Sequence, residues 1–487
     1  MRPDHLFRRR PVRLIQATLL VILAVGLSAC AMLPGNRAPQ AILREASSLG
    51  LPADADAGLH LQAQWWQTLG DPQLNQLVTI ALANHPSLNI AQARLRRAQA
   101  AASMTDAAAG PQLNAGVNVS RQLFTTNGLI PPPLAGTVGE TAEAQLSGSW
   151  ELDFFGKNRA ALNAALGRAR AVQAEVEAAR MLLASQVARQ YIQLARLTDQ
   201  LAVAQRTLAQ RQQTLQLVQD RFKAGLDTQL ELRQSQSGLP EARYQMEALQ
   251  EQVTLTRHAL SALLGEPKQP LVLRDLSLAG LKNTAMPVTL PSDLLGRRPD
   301  IAAARWRVEA ATQDISQARG QFYPSVNLVA FAGFSSIGLN RLLGAGSEQG
   351  GLGPALRLPL FDGGRLRANL GVKTADLDLA IESYNVAVIE AVREVADALT
   401  SRQSITRQQT EQGAAQALSE SAYVIALQRY EAGLSNYLQV LSAETAVLNQ
   451  RRQGVDLSAR ALDTQVALLR ALGGGYRADL PAATAQN

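Results

Sequence analysis

The chain has 487 residues, 47% of them hydrophobic but only 4% aromatic, which disfavours a thick globular core and suits long, thinly packed helices. The net charge of +7 is not a signature of nucleic-acid binding. Five arginines and one aspartate in residues 1–29 account for +4 of it and leave +3 for the rest, and no basic run with interleaved aromatics follows residue 30, so no nucleic-acid partner is expected.

Residues 1–29 read as a targeting segment. Arg2, Arg8, Arg9, Arg10 and Arg13 form a basic head, residues 14–27 an apolar stretch, and Leu27-Ser28-Ala29 precede Cys30. The arrangement resembles a bacterial lipoprotein signal, with an ordinary signal peptide as the plainer alternative. The resemblance implies that Cys30 is lipidated and becomes the first mature residue, and that Ala31 after it permits export to the outer membrane. Cys30 is the only cysteine, so no disulfide forms within the chain. Residues 30–64 read as a loose, lipid-anchored arm.

A first structural repeat spans 65–280. Asp71-Pro72 opens a helix, with Asp as N-cap and Pro at the first helical position. A second helix over 87–109 closes at Gly110-Pro111. The period then changes to two. Strands are expected over 112–124 and 141–154. In the latter, Ala142, Ala144, Leu146, Trp150 and Leu152 alternate with Thr141, Glu143, Gln145, Ser147, Ser149 and Glu151, the two-faced pattern of a transmembrane barrel strand. An amphipathic strand of a soluble sandwich is the alternative, but the further strands of such a domain are missing.

A long helix follows over 157–222, proline-free and with a heptad seam that includes Leu194, Leu197, Leu201, Leu208, Leu215 and Phe222. At 1.5 Å per residue it extends roughly 100 Å. A turn at Gly225 and Leu226 leads into a helix over 228–264. Gly238-Leu239-Pro240 predicts a kink there, because proline removes a backbone donor and clashes with the preceding turn.

Residues 281–476 repeat this order: helix 300–321, strands 326–334 and 352–360, long helix 365–430, helix 436–472, then a tail over 477–487. The turns RFKAGL and RYEAGL set Gly225 and Gly433 at a spacing of 208, and Leu264-Gly265 and Leu472-Gly473 recur at the same spacing. The fold class expected is α+β: a long helical barrel with four strands per chain that belong to a membrane barrel. Open sheet edges are not tolerated in lipid, and four strands cannot close a barrel, so copies of the chain must pool strands. A dimer would give eight and a trimer twelve.

These segments resemble the TolC-like outer-membrane efflux proteins, in the lipidated branch of OprM and NodT type. The resemblance covers nearly all of the mature chain. It is carried by WWQTLGDPQLNQLV (65–78), SWELDFFGK (149–157), RFKAGL (221–226), LPSDLLGRRPDIAAAR (290–305), FYPSV (322–326), LFDGGR (360–365), RYEAGL (429–434) and LGGGY (472–476). It implies a homotrimer with a twelve-stranded barrel in outer-membrane lipid and a helical tunnel in the periplasm. It also implies a periplasmic adaptor (membrane fusion) protein and an inner-membrane efflux pump as partners. The chain is then the passive exit duct of a tripartite efflux or secretion system.

The tip turns Gly225, Leu226, Gly433 and Leu434 are the surface expected to face the adaptor. The resemblance further implies a constriction at Tyr430 and Leu438, with plain inter-helix packing as the alternative, and an aspartate where this chain has Ser442. Glu231 and Glu444 are the nearest carboxylates. Glu444 is turned about 200° around the helix from 442, which leaves Glu231 as the acidic gate candidate. The four histidines are scattered, and the glycine-rich stretch 344–353 lacks the Lys-Ser/Thr of a phosphate loop. No catalytic residue, cofactor or metal is expected. A coiled-coil tether without a pore explains the rods but not the alternation of 141–154. A trimeric surface adhesin would place its strands at one end of the chain.

Overall fold

The computed structural model describes residues 38–44, 62–265, 273–283 and 297–476. Cys30, the leader and the tail over 477–487 lie outside them. Seven α-helices and four strands organise the described chain: α1 (Pro72–Asn84), α2 (Pro86–Ala109), β1 (Gln112–Leu123), β2 (Val138–Leu152), α3 (Lys157–Lys223), α4 (Gln229–Leu263), α5 (Pro299–Gly320), β3 (Ser325–Ile337), β4 (Glu348–Arg357), α6 (Arg365–Glu431) and α7 (Tyr437–Ala471). Two compact units divide the chain, and each draws on both halves of the sequence. The sequence repeat and the compact unit are therefore different divisions.

The first unit contains the sheet, antiparallel in the order β1-β2-β3-β4. Its register sorts the side chains. Val117 faces Ala144, Ala144 faces Phe334, Trp150 faces Leu328, and Ala330 faces Leu352, all on one side. On the other side Asn118 faces Glu143, Glu143 faces Ser335, and Gly333 faces Gln349. Glu143 and Gln145 both accept from the Gln349 amide, at 3.2 and 3.1 Å.

The strand bounds differ from those expected. β2 begins at Val138 because that residue pairs with Leu123. It ends at Leu152 because Asp153 turns to accept from the backbone N–H of Arg159, capping α3 at 2.8 Å. β3 runs on to Ile337, which pairs with Thr141. β4 lies earlier than the expected 352–360, since Glu348 to Gly351 pair with Phe334 to Phe331. Pro354 stands opposite Leu328 without breaking the β3–β4 ladder, and Pro359 lies beyond it. At the second corner Asp362 caps α6, accepting from Gly364 and Leu366.

Also in this unit, Gly167 explains itself: a Cβ there would lie 3.1 Å from that of Ala310, so the glycine lets α3 and α5 approach closely. Arg168 pairs with Asp314 beside it. The arm, expected to be loose, is held where it is described. One carboxylate oxygen of Asp378 accepts from Gln40 at 2.9 Å and Ala41 at 3.0 Å.

The second unit has the larger apolar core. Trp65, Leu69, Leu74 and Val78 pack with Val187, Tyr191 and Leu194 of α3, Leu260 of α4, and Val466 and Leu469 of α7. Asp71 caps α1 through Gln73 at 2.7 Å, and its second oxygen accepts from the Tyr191 hydroxyl at 2.5 Å. Burial first, and that bond second, push the Tyr191 phenol well above its ordinary range. Also here, Arg44 donates its backbone N–H to Asn385 at 3.0 Å.

Candidate functional site

Both rods end in the same turn. Leu226 donates to Arg221 O at 2.9 Å and Leu434 to Arg429 O at 2.7 Å. Gly225 and Gly433 stand at φ 71° and 74°, where a side chain would be strained. Leu226 and Leu434 are exposed at the two apices. Thr228 and Glu231 then form a capping box for α4. The Glu231 carboxylate accepts from the backbone and hydroxyl of Thr228, which holds its pKa below the ordinary range. The acidic gate candidate is therefore engaged in starting its own helix.

The structure separates Tyr430 from Leu438. Leu438 is 63% exposed and Ser442, one turn on, is also exposed. Tyr430 is only 1% exposed and packs within its own chain against Val218, Tyr423, Tyr437 and Val440. Its side chain is directed into its own chain. Its hydroxyl donates to Asp227. Arg221 completes the set, with its Nε 3.2 Å from Asp227 and its guanidinium 4.6 Å above the Tyr430 ring. Burial, then the Asp227 bond and charge, raise the Tyr430 phenol pKa well above normal, and Arg221 opposes this in part. The Asp227 side chain is 7% exposed. These three groups tie the turn after α3 to the end of α6.

Asp227 was missed by sequence reading, although a signal existed: its counterpart in the second copy is Ser435, so only one of the two turns can form this tie. Arg211 was missed as well. It bridges Glu444 at 3.1 Å and Glu241 at 3.3 Å and donates to Gly238 O at 2.8 Å. Burial pushes the Glu444 carboxyl up, against the pull of Arg211. Glu444 is buried while Ser442 is exposed, as their angular separation requires. α4 is uninterrupted through Pro240. Arg211 donates to the carbonyl of Gly238, two residues before the proline.

Among the described residues no helix is long and apolar enough to cross a membrane. The sheet is the element with one apolar and one polar face, and its outer edges, β1 and β4, have no partner strand. Residues 77–266 and 290–474 match the family described as outer membrane efflux protein. The chain belongs to that family. The multidrug resistance outer membrane protein MdtP of Escherichia coli K12 is 33% identical over 467 residues, covering 93% of this chain and 94% of its own. MdtQ of Escherichia coli O6:H1 is 33% identical over 428 residues, covering 85% and 88%. The crystal structure of the outer membrane protein VceC of Vibrio cholerae superposes with a TM-score of 0.80 at 36% identity, covering 86% of this chain and all of that one. The efflux protein described here is therefore an outer-membrane duct, with a β-barrel in the membrane and a helical tunnel in the periplasm. Its family is one of channels.

Proposed function

We propose that three copies join their sheets, β1 of one against β4 of the next, into a twelve-stranded barrel, and that this trimer is the passive exit duct of a tripartite efflux system. The observation that carries this reading is the sheet: one face apolar, one polar, and both edges unpaired. A lipid-facing wall needs the first property and closure removes the third. A stripe on α6, Val372, Leu379 and Val386 at seven-residue spacing, is exposed in the single chain. It suits burial against the helices of another copy.

At the tip, Leu226 and Leu434 offer two matched apolar knobs on rigid glycine turns. They fit a periplasmic adaptor, which would hand cargo on from an inner-membrane pump. Relatives named for multidrug resistance favour small drug-like molecules as cargo. The Tyr430–Asp227–Arg221 tie keeps the tip narrow at rest. Leu438 and Ser442 line the constriction, which lacks the charge of an acidic ring.

Lipidation of Cys30 remains part of this reading, supported by the leader and by the cysteine's place at its end. Intact mass of the purified chain checks it. A chain beginning at residue 30 and carrying acyl groups is expected; an unmodified N-terminus elsewhere would remove the anchor. The duct itself is tested by adding purified protein to a planar bilayer, where discrete conductance steps are expected. Insertion without steps would defeat the reading.

A further inference from the structure

At mid-wall the polar face of the sheet carries an aromatic side chain, Phe331; at the loop end Phe124 covers Gly139 in the same way. Phe331 sits at the middle of β3, between Ser147 of β2 and Gly351 of β4. Its ring lies across the strands onto the glycine. A Cβ built on Gly351 would be 2.6 Å from Phe331 Cε1 and 2.9 Å from Cζ, closer than carbon atoms approach. Gly353, next on the same face, has open space above it. The ring thus occupies the notch that the absent side chain leaves at Gly351. An aromatic ring covering a cross-strand glycine stabilises a strand pair, but that role alone would leave the bore indifferent to it.

We propose that Phe331 sets the width of the lumen at mid-wall, with Gly351 as the notch that holds its ring flat against the wall. A side chain at 351 displaces the ring from the notch, away from the wall and toward the lumen. Symmetry repeats the displacement in every copy at the same height, so the rings converge on the axis. The parked ring also gives passing apolar solutes an aromatic surface in a largely polar wall. This inference rests on the polar face being the lumen of the duct.

The test enters from outside the cell, so that the narrow tip does not matter. Asn327→Cys places a thiol on the same face as Phe331, nearer the helical end of β3. A bulky, membrane-impermeant maleimide added to whole cells must pass the level of Phe331 to reach it. Gly351→Ala is expected to slow this labelling severalfold while a small maleimide reacts as before. Phe331→Ala added to Gly351→Ala should restore the rate. Should Gly351→Ala fail to assemble, Phe331→Trp with Gly351 intact is expected to slow the bulky reagent in the same way. Unchanged labelling in an assembled Gly351→Ala or Phe331→Trp protein, or a double variant as slow as Gly351→Ala, would overturn the role of the ring. Failure of the small reagent to reach residue 327 in the otherwise unaltered chain would instead overturn the polar face as lumen, and the inference with it.

Discussion

Asp227→Ala combined with Tyr430→Phe is expected to raise the bilayer conductance of the purified duct severalfold. Tyr430 and Asp227 are 203 residues apart, at the ends of different rods, and share one hydrogen bond under the Arg221 guanidinium. All three side chains are largely shielded from water, so the bond and the ion pair are stronger than their surface equivalents. Removing the hydroxyl and the carboxylate together leaves no buried acceptor stranded and cuts the Asp227 link to the end of α6, while Arg221 keeps the Glu431 carbonyl at 3.2 Å. Leu438→Ala, on the exposed face and outside this tie, should widen the constriction with a smaller gain. Wild-type conductance in the assembled double variant would show that the tie does not keep the tip narrow. Millimolar divalent cations should block the wild type only weakly, because Ser442 brings no charge and Glu231 is committed to Thr228.

The second large effect is on stability. Arg298, from the LLGRRP segment, is 7% exposed and binds Asp300 at 2.7 Å, Glu394 at 2.8 Å and the carbonyl of Ala471 at 3.3 Å. One side chain therefore joins the start of α5 to α6 and to the end of α7. Arg298→Ala takes the cation from Asp300 and a donor from the Ala471 carbonyl, and leaves Glu394 with Arg470 at 2.9 Å. It is expected to destabilise the second unit by roughly 3 kcal/mol, the lower end of the cost of breaking a buried pair, since Asp300 keeps some contact with water. Loss of helical circular dichroism in urea measures it, and a midpoint within error of wild type would contradict the assignment. Burial alone would raise the Asp300 carboxyl, but the hydrogen bonds and charge of Arg298 outweigh it and hold the pKa below its ordinary value. A depressed carboxylate stabilises the fold above its unfolded pKa, about 3.9, and that contribution disappears as pH falls below it. The wild type should therefore lose this contribution in strong acid only, and the Arg298→Ala chain should show no such step.

Much of this fold was legible because its signals are periodic. The rods declare themselves through seams such as Leu366, Leu370, Leu377 and Ile381, which lie buried along α6. β2 declares itself through strict alternation. β4 does not, since Gly350, Gly351, Gly353 and Pro354 carry little contrast between faces, and its bounds are set by pairing with β3. The tip turns could be read from Gly225 and Gly433, which need positive φ. Tyr430 could not be placed, because a long residue near a constriction looks the same in sequence whether it points into a bore or back into its own chain. Its partner Asp227 is visible only as a break in the internal repeat.

The central claim is that the unpaired edges of the sheet are joined by two further copies. Native mass spectrometry of the detergent-extracted, unheated protein tests it most directly. Three chains per particle, falling to one on heating, is the result this account predicts. A single chain or a pair in the unheated sample would contradict it.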